Sequence, residues 1–403
     1  MPRPVRSGIT RVSPLRSSRQ ILDMKTRPAD PAAASAFAAL SDDLKQEFRA
    51  WQGEAWSDEK FGRFALRQFE FQFSRCAPYR RYCLARGTDP GGIGDWREIP
   101  PVPTEAFRHV ELACLRTEEE LRFITSGTSR GPELRGIHIV PDPALYRSSL
   151  RPAFRRLAIG ADGDSHVPLI LSLVPPFERE SGSSLAWMID DLIAAFGGPD
   201  SRSVASARGI DWRSLSKLCR AAEAGDRPES AGATDGLYLL GTTVAFAAWL
   251  DVLEGEDIRF SLPAGTVLMD TGGAKGRKGL DRASMVDRLL PRLGLEGSRV
   301  VNEFGMTELL SQRYGAGTGE TPMFGPPWLR TLVLDPVSLA PRADGEEGIL
   351  CHYDLANAGS VTAVLTEDRG RCERGGIVLR GRTPGAPPRG CSLATAELLR
   401  AGV

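Results

Sequence analysis

Histidine is scarce in this chain. Four occur in 403 residues and no HExxH segment is present, so a metal-dependent hydrolase of that type has little support. The seven cysteines, at 76, 83, 114, 219, 351, 372 and 391, are odd in number and form no CxxC pair. A chain of this length buries a core without disulfide staples, so free thiols in a reducing cytoplasm are expected. Neither sign of charge is in excess: 51 basic residues face 51 acidic ones, leaving no global field to draw in nucleic acid or an anionic membrane. No membrane span is expected. The longest apolar run, Gly236 to Leu250, is too short and holds Gly241-Thr-Thr243, so it reads as strand, turn and helix start. The N-terminus lacks the apolar stretch of a secretory signal. A Walker A loop is also missing, because the Gly131 to Gly136 spacing is followed by Ile137 and His138 rather than Lys and Ser/Thr.

What is present begins with a basic segment. Arg3, Arg6, Arg11, Arg16, Arg19 and Lys25 lie among Ser and Pro with few large apolar residues. Residues 1–35 are therefore read as a basic, disordered extension, with Met24 as an alternative start and a binding arm as the other reading. From Pro31 to Gly53 the spacing of Phe37, Leu40, Leu44 and Phe48 predicts a helix, and Asp58 to Leu84 predicts a second. Apolar runs at 167–174, 236–240, 266–269 and 299–301 then alternate with helical patterns at 185–196, 244–253 and 284–293. Strands alternating with helices predict an α/β architecture with largely parallel sheets. Beyond Trp328 the pattern turns β-rich, with short runs at 330–334, 348–353, 361–366 and 377–380.

Four segments carry chemistry. Phe123-Ile-Thr-Ser-Gly-Thr-Ser-Arg-Gly-Pro132 groups the hydroxyls of Thr125, Ser126 and Thr128 around Gly127, with Arg130 and Arg135 close in sequence. Small residues let backbone N–H groups converge on an anion, although a surface turn has the same composition. Asp270-Thr-Gly-Gly-Ala-Lys-Gly276 follows a predicted strand, where Gly272, Gly273 and Ala274 would let a flat ligand approach or simply make a tight turn. In Val301-Asn-Glu-Phe-Gly-Met-Thr-Glu308 a strand ends and Gly305 turns the chain. Thr307 and Glu308 are expected at a loop-to-helix junction, either holding Mg²⁺ or capping the helix. Leu365-Thr-Glu-Asp-Arg-Gly370 places Asp368 after an extended run, suited to ribose hydroxyls or to a turn. The Gly-, Pro- and Arg-rich segment 380–392 is read as a loop or hinge. In it, Arg389 and Gly390 would expose Cys391 and favour its thiolate, although most cysteines are inert small hydrophobes.

The order of these segments, with Val102-Pro-Thr-Glu-Ala-Phe107, Asp354-Leu-Ala-Asn357 and Arg389-Gly-Cys-Ser392, resembles the adenylate-forming acyl-CoA synthetases and, within them, the LuxE-type acyl-protein synthetases. The resemblance implies the α/β large domain of that superfamily, of layered sheets plus a β-rich part, over residues 36–380. The mobile C-terminal domain would be reduced to a hinge-derived tail, 381–403, carrying Cys391. It implies ATP and Mg²⁺ as cofactors and a carboxylic acid, a fatty acid in particular, as substrate. An acyl reductase or acyl carrier would be the partner. By position, Thr125, Ser126, Gly127 and Thr128 would hold phosphate. Gly272, Gly273 and Ala274, with Asn302, Glu303, Phe304 and Gly305, would lie against adenine. Thr307 would touch the α-phosphate, Glu308 would bind Mg²⁺ and Asp368 the ribose. Arg382 matches a conformation-sensing arginine, and Cys391 the cysteine that becomes acylated. Two departures stand out: the lysine that usually ends the phosphate loop is replaced by nearby Arg130 and Arg135, and the adenylation lysine of the mobile domain has no counterpart. The alternatives are a ligase using coenzyme A or a carrier thiol, and a non-catalytic nucleotide-binding protein.

Overall fold

The computed structural model describes residues 30–125, 135–160, 168–225, 236–272, 281–382 and 389–402. The chain opens with three helices: α1 (Pro31–Ala50), α2 (Asp58–Arg75) and α3 (Ala77–Ala85). Helix α1 starts inside the segment expected to be disordered, because Asp30 caps Ala32 N at 3.1 Å and Ala33 is already buried. The rest of that extension, residues 1–29, lies outside the described residues. The single helix expected from Asp58 to Leu84 is two. Cys76 adopts an extended conformation and Pro78 starts α3, since the residues beside a proline favour extended backbone and helix starts.

Next come β1 (Val102–Pro103), the hairpin β2 (Leu121–Ile124) and β3 (Ile137–Val140), and α4 (Pro143–Ala153). An α/β run follows: β4 (Leu169–Ser172), α5 (Ser184–Phe196), β5 (Arg202–Ser203), a short hairpin of β6 (Ala205–Ser206) and β7 (Gly209–Ile210), α6 (Trp212–Ala224), β8 (Leu237–Thr242), α7 (Thr243–Gly255), β9 (Val267–Thr271), α8 (Arg282–Leu293) and β10 (Val300–Phe304). Strand β11 (Arg313–Ala316) closes a six-stranded sheet ordered β11-β10-β9-β8-β4-β5, parallel throughout except at β11. Its strands alternate between two buried faces: Leu239, Leu268 and Val300 join one apolar cluster with α6, α7 and α8, while Leu240, Met269 and Val301 join the main core. Burial on both faces is why these strands read as continuous apolar runs.

The last part is a five-stranded sheet. It comprises β12 (Leu329–Leu334), β13 (Gly348–Asp354), β14 (Ala363–Glu373) and β15 (Gly376–Arg382), with β1 parallel to β14 and the remaining pairs antiparallel. The tail is not a loop: residues Arg389–Gly402 form a helix, α9, packed on α3, β1 and β14. Gln68 and Gln72 of α2 reach across to Thr362 and to the carbonyls of Leu355, Asn357 and Ala358, tying the first helices to the second sheet through buried hydrogen bonds. Among the described residues no helix is long and apolar enough to cross a membrane.

Candidate active site

The parallel strands β9 and β10 end at the same edge of their sheet, the edge where open α/β sheets bind ligands. Beyond β9, Gly272 takes φ +71°, and its carbonyl accepts from the Thr243 hydroxyl at 2.9 Å. Beyond β10 the chain turns through Gly305 to Glu308 and returns as antiparallel β11. The helix expected after Glu308 does not form. Thr307 and Glu308 therefore have no helix to cap and lie on a turn between two strands. Asp354 enforces this route: its buried carboxylate accepts from Leu310 N (2.8 Å), Ser311 N (2.9 Å) and Ser311 Oγ (2.7 Å), and these bonds outside a helix replace the helical ones.

Two further elements meet this turn. The Thr307 hydroxyl lies 3.4 Å from Ser184 Oγ, in the first turn of α5, where the helix dipole and free N–H groups favour negative charge. The hairpin β2–β3 comes alongside, and His138 donates from Nδ1 to the Thr307 carbonyl at 2.8 Å. At the neck of that hairpin Thr125 pairs with Gly136 twice, N to O at 2.9 Å and hydroxyl from N at 2.7 Å. Its oxygen thus closes the neck. Ser126, Gly127 and Thr128, like Gly273 and Ala274, lie outside the described residues.

From the other sheet, Asp368 and Arg382 are register partners on β14 and β15 and pair at 3.0 Å. Burial alone would lower the Arg382 guanidinium, but the carboxylates of Asp368, Glu308 and Glu367 outweigh it and hold the group above its ordinary value. Glu308 of one sheet and Asp368 of the other thus act on one arginine. Both carboxylates are buried at 8% exposure.

The adenine segment divides differently from expectation. Asn302 donates from its amide to the Asp270 carbonyl and carboxylate, both at 3.2 Å, and so braces β9 against β10. Glu303 points inward, where the Thr271 hydroxyl donates to it, and burial pushes its carboxyl up to about 7. Phe304 sits beside His352, with ring centroids 5.6 Å apart, and Gly305 leaves room for Glu303, whose Oε1 lies 2.5 Å from where a Cβ would stand.

Cys391 overturns its expected exposure. It lies in the first turn of α9 at 3% exposure and donates to the Thr366 carbonyl at 3.4 Å. Burial pushes its thiol up to about 12, with Glu367 adding to the effect, so the resting thiol is protonated at neutral pH. Gly390 permits this docking: a Cβ there would meet Leu339 at 2.6 Å. Sequence reasoning also assigned no role to His138, Ser184, Asp354 or Asn357. Only the quoted Asp354-Leu-Ala-Asn357 motif hinted at the last two.

The six-stranded, mainly parallel sheet beside a second, mainly antiparallel one is an α/β fold of the adenylate-forming ligase type. Solved structures of 2-hydroxyisobutyryl-CoA ligase share that fold. An open form bound to 2-HIB-AMP and CoA superposes with a TM-score of 0.57 at 15% identity, over 83% of this chain and 80% of that one. The thioesterification state gives 0.57 at 16% identity, over 82% and 68%. No family model matches the chain. In sequence the chain resembles the long-chain-fatty-acid–luciferin-component ligase of Aliivibrio fischeri, 22% identical over 354 residues that cover 83% of this chain and 87% of that protein.

Proposed function

We propose that this protein is an ATP-dependent ligase that activates a carboxylic acid, a fatty acid in particular, as an acyl-adenylate and hands the acyl group to a thiol. The observation that supports the reading is that Arg382 bonds to Asp368 at 3.0 Å and also feels the carboxylate of Glu308, on the turn after β10, so the ends of the two sheets face one space. A carboxylate beside a turn hydroxyl and a helix N-terminus suits a phosphate chain, and a carboxylate on the facing sheet suits ribose hydroxyls. The fatty-acid substrate is supported by the likeness to the Aliivibrio ligase.

In the first step a carboxylate oxygen of the acid attacks the α-phosphorus of ATP. The bond to the bridging oxygen of the β-phosphate breaks, and pyrophosphate leaves with the electron pair. The protein's task is to align the two anions and offset their charge. The Thr307 hydroxyl, at the N-terminus of α5, donates to the α-phosphate, and Asp368 holds the ribose with Arg382 fixing its carboxylate. Among the described residues no group of three His, Cys, Asp or Glu side chains forms a metal cage. Mg²⁺ commonly takes one or two carboxylates and completes its shell with phosphate and water. Glu308 would hold it, and the ion would offset charge on the phosphates. Acid-dependent exchange of labelled pyrophosphate into ATP tests this step, and its failure across short-, medium- and long-chain acids would sink the reading.

In the second step a thiolate attacks the acyl carbon, the bond to the AMP oxygen breaks, and a thioester and AMP result. We assign the thiol to Cys391, two residues along the hydrogen-bond path from the ribose element, since its thiol bonds to Thr366 and Asp368 N bonds to the Thr366 hydroxyl. An acyl reductase or acyl carrier would then take the group. The burial of Cys391 requires the first turn of α9 to leave its seat. That burial favours a second reading, an external thiol such as coenzyme A, with Cys391 structural. Labelled fatty acid retained after denaturation by wild type but not by Cys391→Ser separates the two.

A further inference from the structure

The turn that carries Thr307 and Glu308 has no helix to stiffen it, yet two of its carbonyls are held from beneath. His138 Nδ1 donates to the Thr307 carbonyl and Asn357 Nδ2 to the Glu308 carbonyl, each at 2.8 Å. Both side chains are fully buried, and they come from distant parts of the chain, strand β3 and the segment after β13. A carbonyl can only accept, so the hydrogen of the neutral imidazole sits on Nδ1. Burial holds the ring down to about 4, leaving Nε2 a lone-pair acceptor. Nε2 of His138 and Oδ1 of Asn357 are buried without a hydrogen-bond partner, a costly arrangement that an apolar core would avoid. Both residues line the same small cavity of about 10 Å³, close to the room a single water takes up.

We propose that His138 and Asn357 are positioning residues that lock the backbone of the Thr307–Glu308 turn, aiming the hydroxyl and the carboxylate at the nucleotide phosphates. The inference rests on the adenylating function proposed above. Asn357 Nδ2 also reaches the Val361 carbonyl at 3.2 Å, so it ties the Thr307–Glu308 turn to its own loop, and a leucine at either position would make none of these bonds. Their hydrogen bonds give that turn the fixed direction that its lack of a helix withholds.

The experiment is acid-dependent pyrophosphate exchange by the full-length protein, read as kcat, KM for acid and the Mg²⁺ concentration giving half-maximal rate. His138→Leu is expected to lower kcat about 10–100-fold, the scale of misplacing reacting groups by an ångström. The half-maximal Mg²⁺ concentration rises and KM for acid stays unchanged. His138→Asn, whose amide donor can replace Nδ1, recovers most of the loss. In a Glu308→Ala background the same His138→Leu change costs less than about 3-fold, because residues acting as a unit are not additive. Asn357→Asp, which sets an acceptor against the Glu308 carbonyl, reproduces the loss if His138→Leu does not fold. Wild-type rates in His138→Leu, no rescue by asparagine, or an undiminished penalty in the Glu308→Ala background would each overturn the assignment. Absence of exchange in the wild type itself would instead overturn the adenylating function, and this inference with it.

Discussion

The buried thiol of Cys391 makes a prediction that bears on the second half-reaction. Its shift from an ordinary 9.0 to about 12 lowers the thiolate population at pH 8 about 1000-fold. Thiolate is the reactive form, so alkylation of Cys391 in the resting protein should be slower by at least that factor than in the unfolded chain. Steric burial under α9 adds to the protection. The assay is brief iodoacetamide labelling at pH 8, read by mass spectrometry of the Cys391 peptide. The buried Cys76 and Cys114 serve as internal controls. If Cys391 accepts the acyl group, acid with Mg-ATP converts its thiol to a thioester, so in the denatured protein the Cys391 peptide should resist iodoacetamide until hydroxylamine cleaves the acyl group, while Cys76 and Cys114 label at once. Labelling of resting Cys391 at the unfolded rate would refute the docking argument. Full alkylation of denatured Cys391 after incubation with acid and Mg-ATP, without hydroxylamine, in a protein that exchanges pyrophosphate, would refute self-acylation and leave the external thiol.

Glu303 is an acid whose folded value is raised, so its stabilising contribution is complete below the unfolded 4.5 and is lost as pH rises through about 7. Glu303→Gln should therefore melt above wild type at pH 8, by an amount on the order of 3 kcal/mol, and match it at pH 4.5; parallel melting curves across that range would contradict the burial argument. Asp368→Ala should raise KM for ATP about 10–100-fold, the worth of charge-assisted hydrogen bonds to ribose, while the partly exposed pair with Arg382 contributes under about 1 kcal/mol to stability. Equal loss of stability and affinity in calorimetry and kinetics would argue against a ribose contact. Gly305→Ala places a Cβ 2.5 Å from Glu303 Oε1 and should cost about 1–3 kcal/mol in urea unfolding, with the cost relieved in a Glu303→Ala background. Additive losses would show that the clash is not the cause.

Much of the framework was legible because it is written in local periodicity. The fully buried strands around Leu239 and Leu268 and the amphipathic helices between them follow from apolar spacing. The caps at Asp30, Ser57, Ser183 and Asp281 appear only in the structure, where each side chain bonds to a backbone N–H of its own helix start. The motif order was equally local, and so the adenylate-forming fold could be expected before any coordinates. What the chain does after Glu308 was not legible. Thr-Glu before an apolar pair suits a helix start, and only Asp354, 46 positions further on, diverts Leu310 and Ser311 into a turn. Cys391 was misplaced for the same reason. Its neighbours Arg389 and Gly390 look like an open hinge, but Gly390 packs against Leu339 and the thiol seats on Thr366. Composition and periodicity act over a few residues and marked most of the strands and helices, but not the break at Cys76, the turn after Glu308 or the helix at Arg389–Gly402. Burial, the joint pull of Asp368 and Glu308 on Arg382, and the bracing of a turn by His138 and Asn357 depend on groups far apart in sequence. Hydrogen bonds and desolvation between such groups exist only once the chain has closed on itself, and so the tertiary structure alone decided them.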